Sequence, residues 1–158
     1  KHPKATVIIC GEIQLEDQNY KNKMLRKITD ANLEKRILFL GKKPFEDLPK
    51  LFQGMSVVAA LSRNEGYGLT PLEGMASGAA VLTSSEGVWD ELVRDGIDGY
   101  VVKTNDVFQT SERLNTLIEN SSKTKIMGEN AAKYISENFS VEKEAEQIIQ
   151  HIRYVQNI

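Results

Sequence analysis

The chain has 158 residues, 41% of them hydrophobic and 27% charged, the composition of an ordinary globular domain. A chain of this length buries about 70% of the surface its unfolded form exposes, so folding requires neither disulfides nor a metal. Twenty Lys and Arg against 22 Asp and Glu leave a net charge of −2. The basic excess that displaces phosphate counterions is missing, so no nucleic-acid partner is expected.

Four short apolar runs set the frame. Ala5–Gly11 (ATVIICG), Arg36–Gly41 (RILFLG), Ser56–Leu61 (SVVAAL) and Ala79–Thr83 (AAVLT) read as strands, and Gly99–Val102 (GYVV) as a fifth. Continuous apolar runs suit parallel strands buried on both faces. Between them, Tyr20–Asn32 places Met24, Leu25, Ile28 and Ala31 near helical spacing. Asp47–Gln53 and Val88–Arg94 predict shorter helices, the latter stopped by Asp95-Gly96. Val107–Asn120, Lys123–Asn138 and Val141–Gln156 then read as amphipathic helices packing around the sheet, the last reaching towards a further neighbour. Ser140 is the expected N-cap of that last helix. Alternating strands and helices predict one α/β domain over residues 1–158, with a Rossmann-like open parallel sheet flanked by helices.

Cys10 is the one cysteine and sits in an apolar run, so a core thiol in a reducing compartment is expected. The opening Lys1-His2-Pro3-Lys4 lacks an apolar signal core, and the apolar stretches fall short of the ~20 residues a membrane span needs. The chain also starts without Met and almost directly in a strand, as expected of a piece of a longer protein.

Ser62–Gly78 (SRNEGYGLTPLEGMASG) carries the chemistry. It follows a predicted strand and enters a short helix. In parallel sheets, ligands bind at such carboxyl ends, where helix N-termini point free N–H groups outward. Gly66 and Gly68 permit close backbone approach and dihedrals that other residues avoid. Thr70 is the expected N-cap, Pro71 suits the first helical position and Gly78 the end. Glu65 and Glu73 bracket the loop, and carboxylates accept hydrogen bonds from hydroxyls. The same residues support a blander reading, since Thr70-Pro71-Leu72-Glu73 also spells a capping box.

The Glu65–Glu73 stretch, EGYGLTPLE, resembles the E-x7-E motif of retaining glycosyltransferases built from two Rossmann-like domains, the GT-B type. The likeness continues through Gly74–Ser84 (GMASGAAVLTS) and Glu91–Val102 (ELVRDGIDGYVV). Upstream, Val7–Gly11 and Arg36–Leu48 fall where family strands and loops belong. The resemblance covers nearly the whole chain and implies the C-terminal, donor-binding half of such an enzyme, lacking its first strand. It implies that Glu73 bonds the ribose hydroxyls of a nucleotide-sugar. Glu65 then orients the transferred sugar and places charge beside the developing oxocarbenium. Gly66, Tyr67, Gly68, Leu69 and Thr70 meet the sugar and diphosphate, Gly41 to Lys43 line the base pocket, and Gly11 lies near the nucleotide.

The implied reaction is hexosyl transfer with retention, from a nucleoside-diphosphate sugar to a glycan or glycolipid held by an N-terminal domain. The wording of the motif looks most like enzymes of lipopolysaccharide or surface-polysaccharide biosynthesis. A cytoplasmic enzyme docked peripherally at the inner membrane face fits that role. No cofactor or metal is expected; His2 and His151 are remote from the motif and no D-x-D pair occurs.

Several positions depart from the family pattern. The Arg and Lys that usually neutralise the diphosphate would precede this chain, so it is not expected to catalyse alone. Ala80 replaces a usual proline, Ser85-Glu86-Gly87 stands where paired glycines are common, and Trp89 and Asp90 follow instead of proline. Trp89 is expected in packing, and Tyr67, in place of phenylalanine, likewise with its hydroxyl in water. Lys42, Lys43, Arg63 and Asn64 read as solvated loop residues. A missing first strand would expose a sheet groove and favour self-association or rearrangement. Two other classes share the fold: a nucleotide-sugar epimerase, and a non-catalytic nucleotide-sugar-binding module. Release of nucleoside diphosphate with glycan growth separates the first from a transferase, and retention of both glutamates argues against the second.

Overall fold

The computed structural model describes residues 2–12 and 17–156; Lys1, with which the chain opens, lies outside them. The chain divides into two compact units, Lys1–Leu48 and Pro49–Ile158, each taken by itself here. All strand pairings between named strands are parallel and helices intervene along the chain, the expected α/β class.

The first unit holds strand β1 (Val7–Cys10), helix α1 (Gln18–Asp30), strand β2 (Ile37–Gly41) and a 3-10 turn at Phe45–Asp47. Val7 opposes Ile37 and Ile9 opposes Phe39, after which the register shifts so that Cys10 faces Gly41. Arg36 anchors the approach to this ladder. Its guanidinium donates to the carbonyls of Ala5, at 3.0 Å, and His2. The apolar runs predict burial on both faces, yet Val7, Ile8 and Ile9 are 49%, 38% and 42% exposed. Among its described residues, this unit offers one helix to a two-stranded ladder, too little protein to cover both faces. Cys10 is exposed for the same reason, not a core thiol.

The second unit begins within α2 (Leu48–Gln53). It continues through β3 (Val57–Ala60), α3 (Thr70–Ala76), β4 (Ala80–Ser84), α4 (Trp89–Leu92), β5 (Gly99–Val102), α5 (Val107–Glu119), α6 (Ser121–Asn138) and α7 (Val141–Gln156). The sheet order is β3-β4-β5, with Val57 opposite Ala80 and Val81 opposite Gly99. Among the described residues, β1 pairs with β2 within the first unit and β3, β4 and β5 pair within the second. Central strand β4 is buried at every position. Ala80 and Leu82 join Tyr100, Val102, Leu117 and Met127 in one core that ties β4 and β5 to α5 and α6. Trp89 is buried, in the expected packing role.

Polar groups fix the corners. Asp106 and Asn120 cap α5 and α6, accepting from Gln109 N–H at 2.8 Å and Lys123 N–H at 3.1 Å. Each such cap contributes about 1 kcal/mol. Ser140 accepts from Lys143 N–H at 3.2 Å and caps α7 as expected. Asp98, wholly buried, accepts from Arg94 Nε at 2.7 Å and Nη2 at 2.6 Å, which locks the turn before β5. That hydrogen-bonded pairing raises the Arg94 pKa above its ordinary value.

Helix α7 departs from expectation. It contains no buried residue, and Ile148, Ile149 and Ile152 are about half exposed, so it does not pack around the sheet. No helix among the described residues is long and apolar enough to cross a membrane.

Candidate functional site

Residues 61–69 link the carboxyl end of β3 to α3; Glu65 stands midway along this bend and Glu73 just beyond it, in the first turn of α3. Helix α3 starts one residue earlier than the capping pattern predicts. Leu69 occupies the N-cap position with helical dihedrals and no side-chain cap forms. Thr70 is therefore already helical, its hydroxyl lies inside the first turn, and the capping box with Glu73 does not form. The half-buried Glu73 stands in that first turn, its carboxylate uncommitted to capping. Pro71 sits in the first turn as expected. At the far end Gly78, at φ +85°, closes α3. The Ala79 and Gly78 amides donate back to Gly74 and Met75, a Schellman arrangement.

Glu65 is held more tightly than the sequence suggests. Ser62 Oγ donates to Glu65 Oε2 at 2.9 Å. Gly68, at φ +55°, leaves room for the carboxylate: a Cβ there would come within 2.8 Å of Glu65 Cδ and 3.1 Å of Oε1. Gly68 adopts the expected positive φ, while Gly66, expected to share it, does not. The loop after β4 supports the bend from beneath. Buried Ser84 donates from Oγ to the Ser62 carbonyl at 2.7 Å. A Cβ on Gly87 would fall 2.7 Å from the Gly66 carbonyl oxygen and 3.1 Å from that of Glu65. The outer side of the bend is open. Tyr67 and Leu69 are 53% and 60% exposed, so Tyr67 does not pack as expected. It sits at the crest of a bend whose packed side is already filled by Glu65 and the β4 loop.

The first unit has its own concavity at the carboxyl ends of β1 and β2. Gly11 N–H donates to the Gly41 carbonyl at 3.0 Å. A cavity of about 320 Å³ is lined by Gly11, Glu12, Lys21, Phe39, Gly41 and Lys42. Gly11 and Gly41 thus meet, whereas exposed Lys43 is outside that lining. Among the described residues, no group of three or more His, Cys, Asp or Glu could hold a metal ion.

The model of the glycosyl transferases group 1 family matches residues 1–134. The chain belongs to that family. Among its relatives in the family, the lipopolysaccharide core biosynthesis mannosyltransferase LpcC of Rhizobium leguminosarum bv. viciae is 35% identical over 148 residues. That alignment takes in 94% of this chain and 42% of the relative. The mannosyltransferase LpsB of Rhizobium meliloti is 27% identical, over 92% of this chain and 42% of its own length. The chain therefore spans well under half of these group 1 relatives. Solved glycosyltransferase structures agree on the fold. HepE of Anabaena in complex with UDP superposes with a TM-score of 0.87 at 29% identity, over 96% of this chain and 42% of HepE. The C-terminal domain of the group 1 protein LpcC from Francisella tularensis gives 0.84 at 29% identity, over 89% and 73%. These superpositions identify the chain's architecture as that of a GT-B C-terminal, Rossmann-like domain.

The elements place some residues that sequence reading passes over. Ser62, Ser84 and Gly87 support the Glu65 bend, and Glu12 and Lys21 line the first unit's cavity. Ser62 had a signal. It stands three residues before Glu65, the same S/T-x-x-E spacing that Thr70 and Glu73 show. The contact forms at the pair not expected to make it. Lys21 and Ser84 had none, because their proximity depends on how separate elements come together.

Proposed function

We propose that the chain is the donor-binding domain of a retaining hexosyltransferase within a longer two-domain protein. In this reading it is a single nucleotide-sugar-binding domain over residues 1–158. The enzyme moves a sugar from a nucleoside-diphosphate donor to a glycan or glycolipid in lipopolysaccharide or surface-polysaccharide assembly. The observation that carries the reading is the bend after β3: Glu65 is fixed against Gly68, and Glu73 stands uncapped in the first turn of α3. Family membership and the UDP complex of HepE support a nucleotide-sugar at such a bend. The mannosyltransferase relatives support the class of product.

In this mechanism the bond from the anomeric carbon to the diphosphate breaks, an acceptor hydroxyl oxygen bonds on the same face, and its proton passes to the departing diphosphate oxygen. Glu73 accepts from the ribose hydroxyls and Glu65 from a sugar hydroxyl, adding negative charge beside the oxocarbenium. Gly66, Tyr67, Leu69 and Thr70, on the open side of the bend, meet the sugar and diphosphate. Gly11, Gly41 and Lys43 serve the nucleotide, with Lys42 placed in the cavity. Basic side chains elsewhere in the longer protein neutralise the diphosphate, and no bound metal takes part. The enzyme works in the cytoplasm, peripheral to the membrane.

Calorimetric titration of the full-length protein with UDP, GDP and ADP tests the nucleotide assignment. Glu73→Ala should weaken the preferred diphosphate about tenfold, or ~1.4 kcal/mol. Unchanged affinity would remove the ribose role. Glu65→Gln should instead lower kcat on the order of 10²-fold, as expected for loss of charge stabilisation at a transition state.

A further inference from the structure

We infer that Ser62 is a positioning residue that fixes which oxygen of Glu65 faces the donor sugar. The inference rests on the proposed role of Glu65 and goes beyond it. A carboxylate on a loop normally samples several rotamers, and its two oxygens exchange by rotation about the terminal bond. Here three contacts remove that freedom. Ser62 Oγ donates to Oε2 at 2.9 Å. The Gly68 backbone lies against Cδ and Oε1, so closely that a Cβ would meet them at 2.8 and 3.1 Å. Ser62 itself is fixed, because buried Ser84 holds its carbonyl at 2.7 Å.

The chemical consequence is an asymmetric carboxylate. Oε2 already accepts one hydrogen bond, so Oε1 is the oxygen left to accept from a ligand hydroxyl. A side chain fixed before binding spends less conformational entropy when the ligand arrives. The benefit falls on the sugar and not on the nucleotide, since the Ser62 hydroxyl acts on Glu65, whose proposed ligand is the sugar. Ser84 and Gly87 extend the device: β4, the most buried strand, sets the position of a loop belonging to β3.

The test compares Ser62→Ala, Ser62→Thr and Glu65→Gln in the full-length protein, with and without ligand. Without ligand, side-chain NMR of selectively labelled glutamate reads Glu65 rotamer averaging. Ser62→Ala should give an averaged Glu65 signal and Ser62→Thr, which keeps the hydroxyl, a fixed one. An unaveraged Glu65 in Ser62→Ala would overturn the inference. With ligand, calorimetry takes the affinity ratio of UDP-glucose to UDP and of GDP-mannose to GDP. Ser62→Ala should lower the ratio of the pair that binds about fivefold, as for the cost of immobilising one side chain on binding, with the diphosphate affinity unchanged. Ser62→Thr should restore it. An equal fall for sugar-nucleotide and diphosphate would mark general collapse of the loop and also overturn the inference. Glu65→Gln separates the two levels. If the ratio survives in that variant, Glu65 does not read the sugar and both ideas fail. If it falls there but not in Ser62→Ala, only the positioning role fails.

Discussion

Strands β1 and β4 look alike in sequence, VIIC and AVLTS, and end in different environments. Every residue of β4 is buried, whereas every residue of β1 is exposed. Strand β4 has a paired neighbour on each side and helices α3, α5 and α6 packed against it. Among the described residues, strand β1 pairs only with β2. An apolar run thus records a tendency to be covered, while coverage depends on how many elements the same unit provides. The lesson reaches the site as well. The bend that holds Glu65 is supported by the buried strand, and the cavity of the first unit is built on the exposed ladder.

Truncations on the two strands should break the symmetry of their sequences most visibly. Leu82→Ala, in the β4 core, should lose about 3 kcal/mol in urea unfolding, a typical cost of emptying a buried leucine site. Ile9→Ala, on β1, should cost about 1 kcal/mol, because a large part of that side chain already meets water. Equal losses would mean that β1 is covered in solution.

The exposed ladder carries a second consequence. We propose that the chain on its own self-associates, since open apolar strand edges pair readily. Sedimentation should show species larger than a monomer, and Ile8→Lys, which places a charge on β1, should shift them towards monomer. A monodisperse monomer from the unmodified chain would contradict this.

The smallest effect concerns α7, none of whose described residues is buried. Glu142 lies in its first turn, and hydrogen bonds from its own backbone N–H and from Ser140 hold its pKa below the ordinary value of 4.5. A lowered folded-state pKa stabilises above the unfolded value and is lost as pH falls through the folded one. Circular dichroism should therefore show slight loss of helix only below pH 4.5, and Glu142→Gln should remove that dependence. A helix signal independent of pH in the unmodified chain would leave the α7 start held by Ser140 alone.

Much of the site was legible before any coordinates. The E-x7-E spacing, the glycines of the bend and the Pro71 start of α3 are local features. Local features survive folding because they depend on residues a few positions apart. The error at Thr70 is instructive for the same reason. A capping box needs an N-cap in extended backbone, and Leu69 adopts helical dihedrals instead, so correct spacing met the wrong backbone. The hydrogen bond went to Ser62 and Glu65, where the chain doubles back.

Sequence by itself determined the order of strands and helices, the α/β class, the family and the two acidic positions. Each of these follows from hydrophobic period, turn residues or fixed spacing along the chain. Tertiary structure alone decided that β4 is buried and β1 is not, and that Ser84 and Gly87 support a loop more than twenty residues earlier. Burial and cross-strand contact belong to the space between elements, and no single element's sequence contains that space.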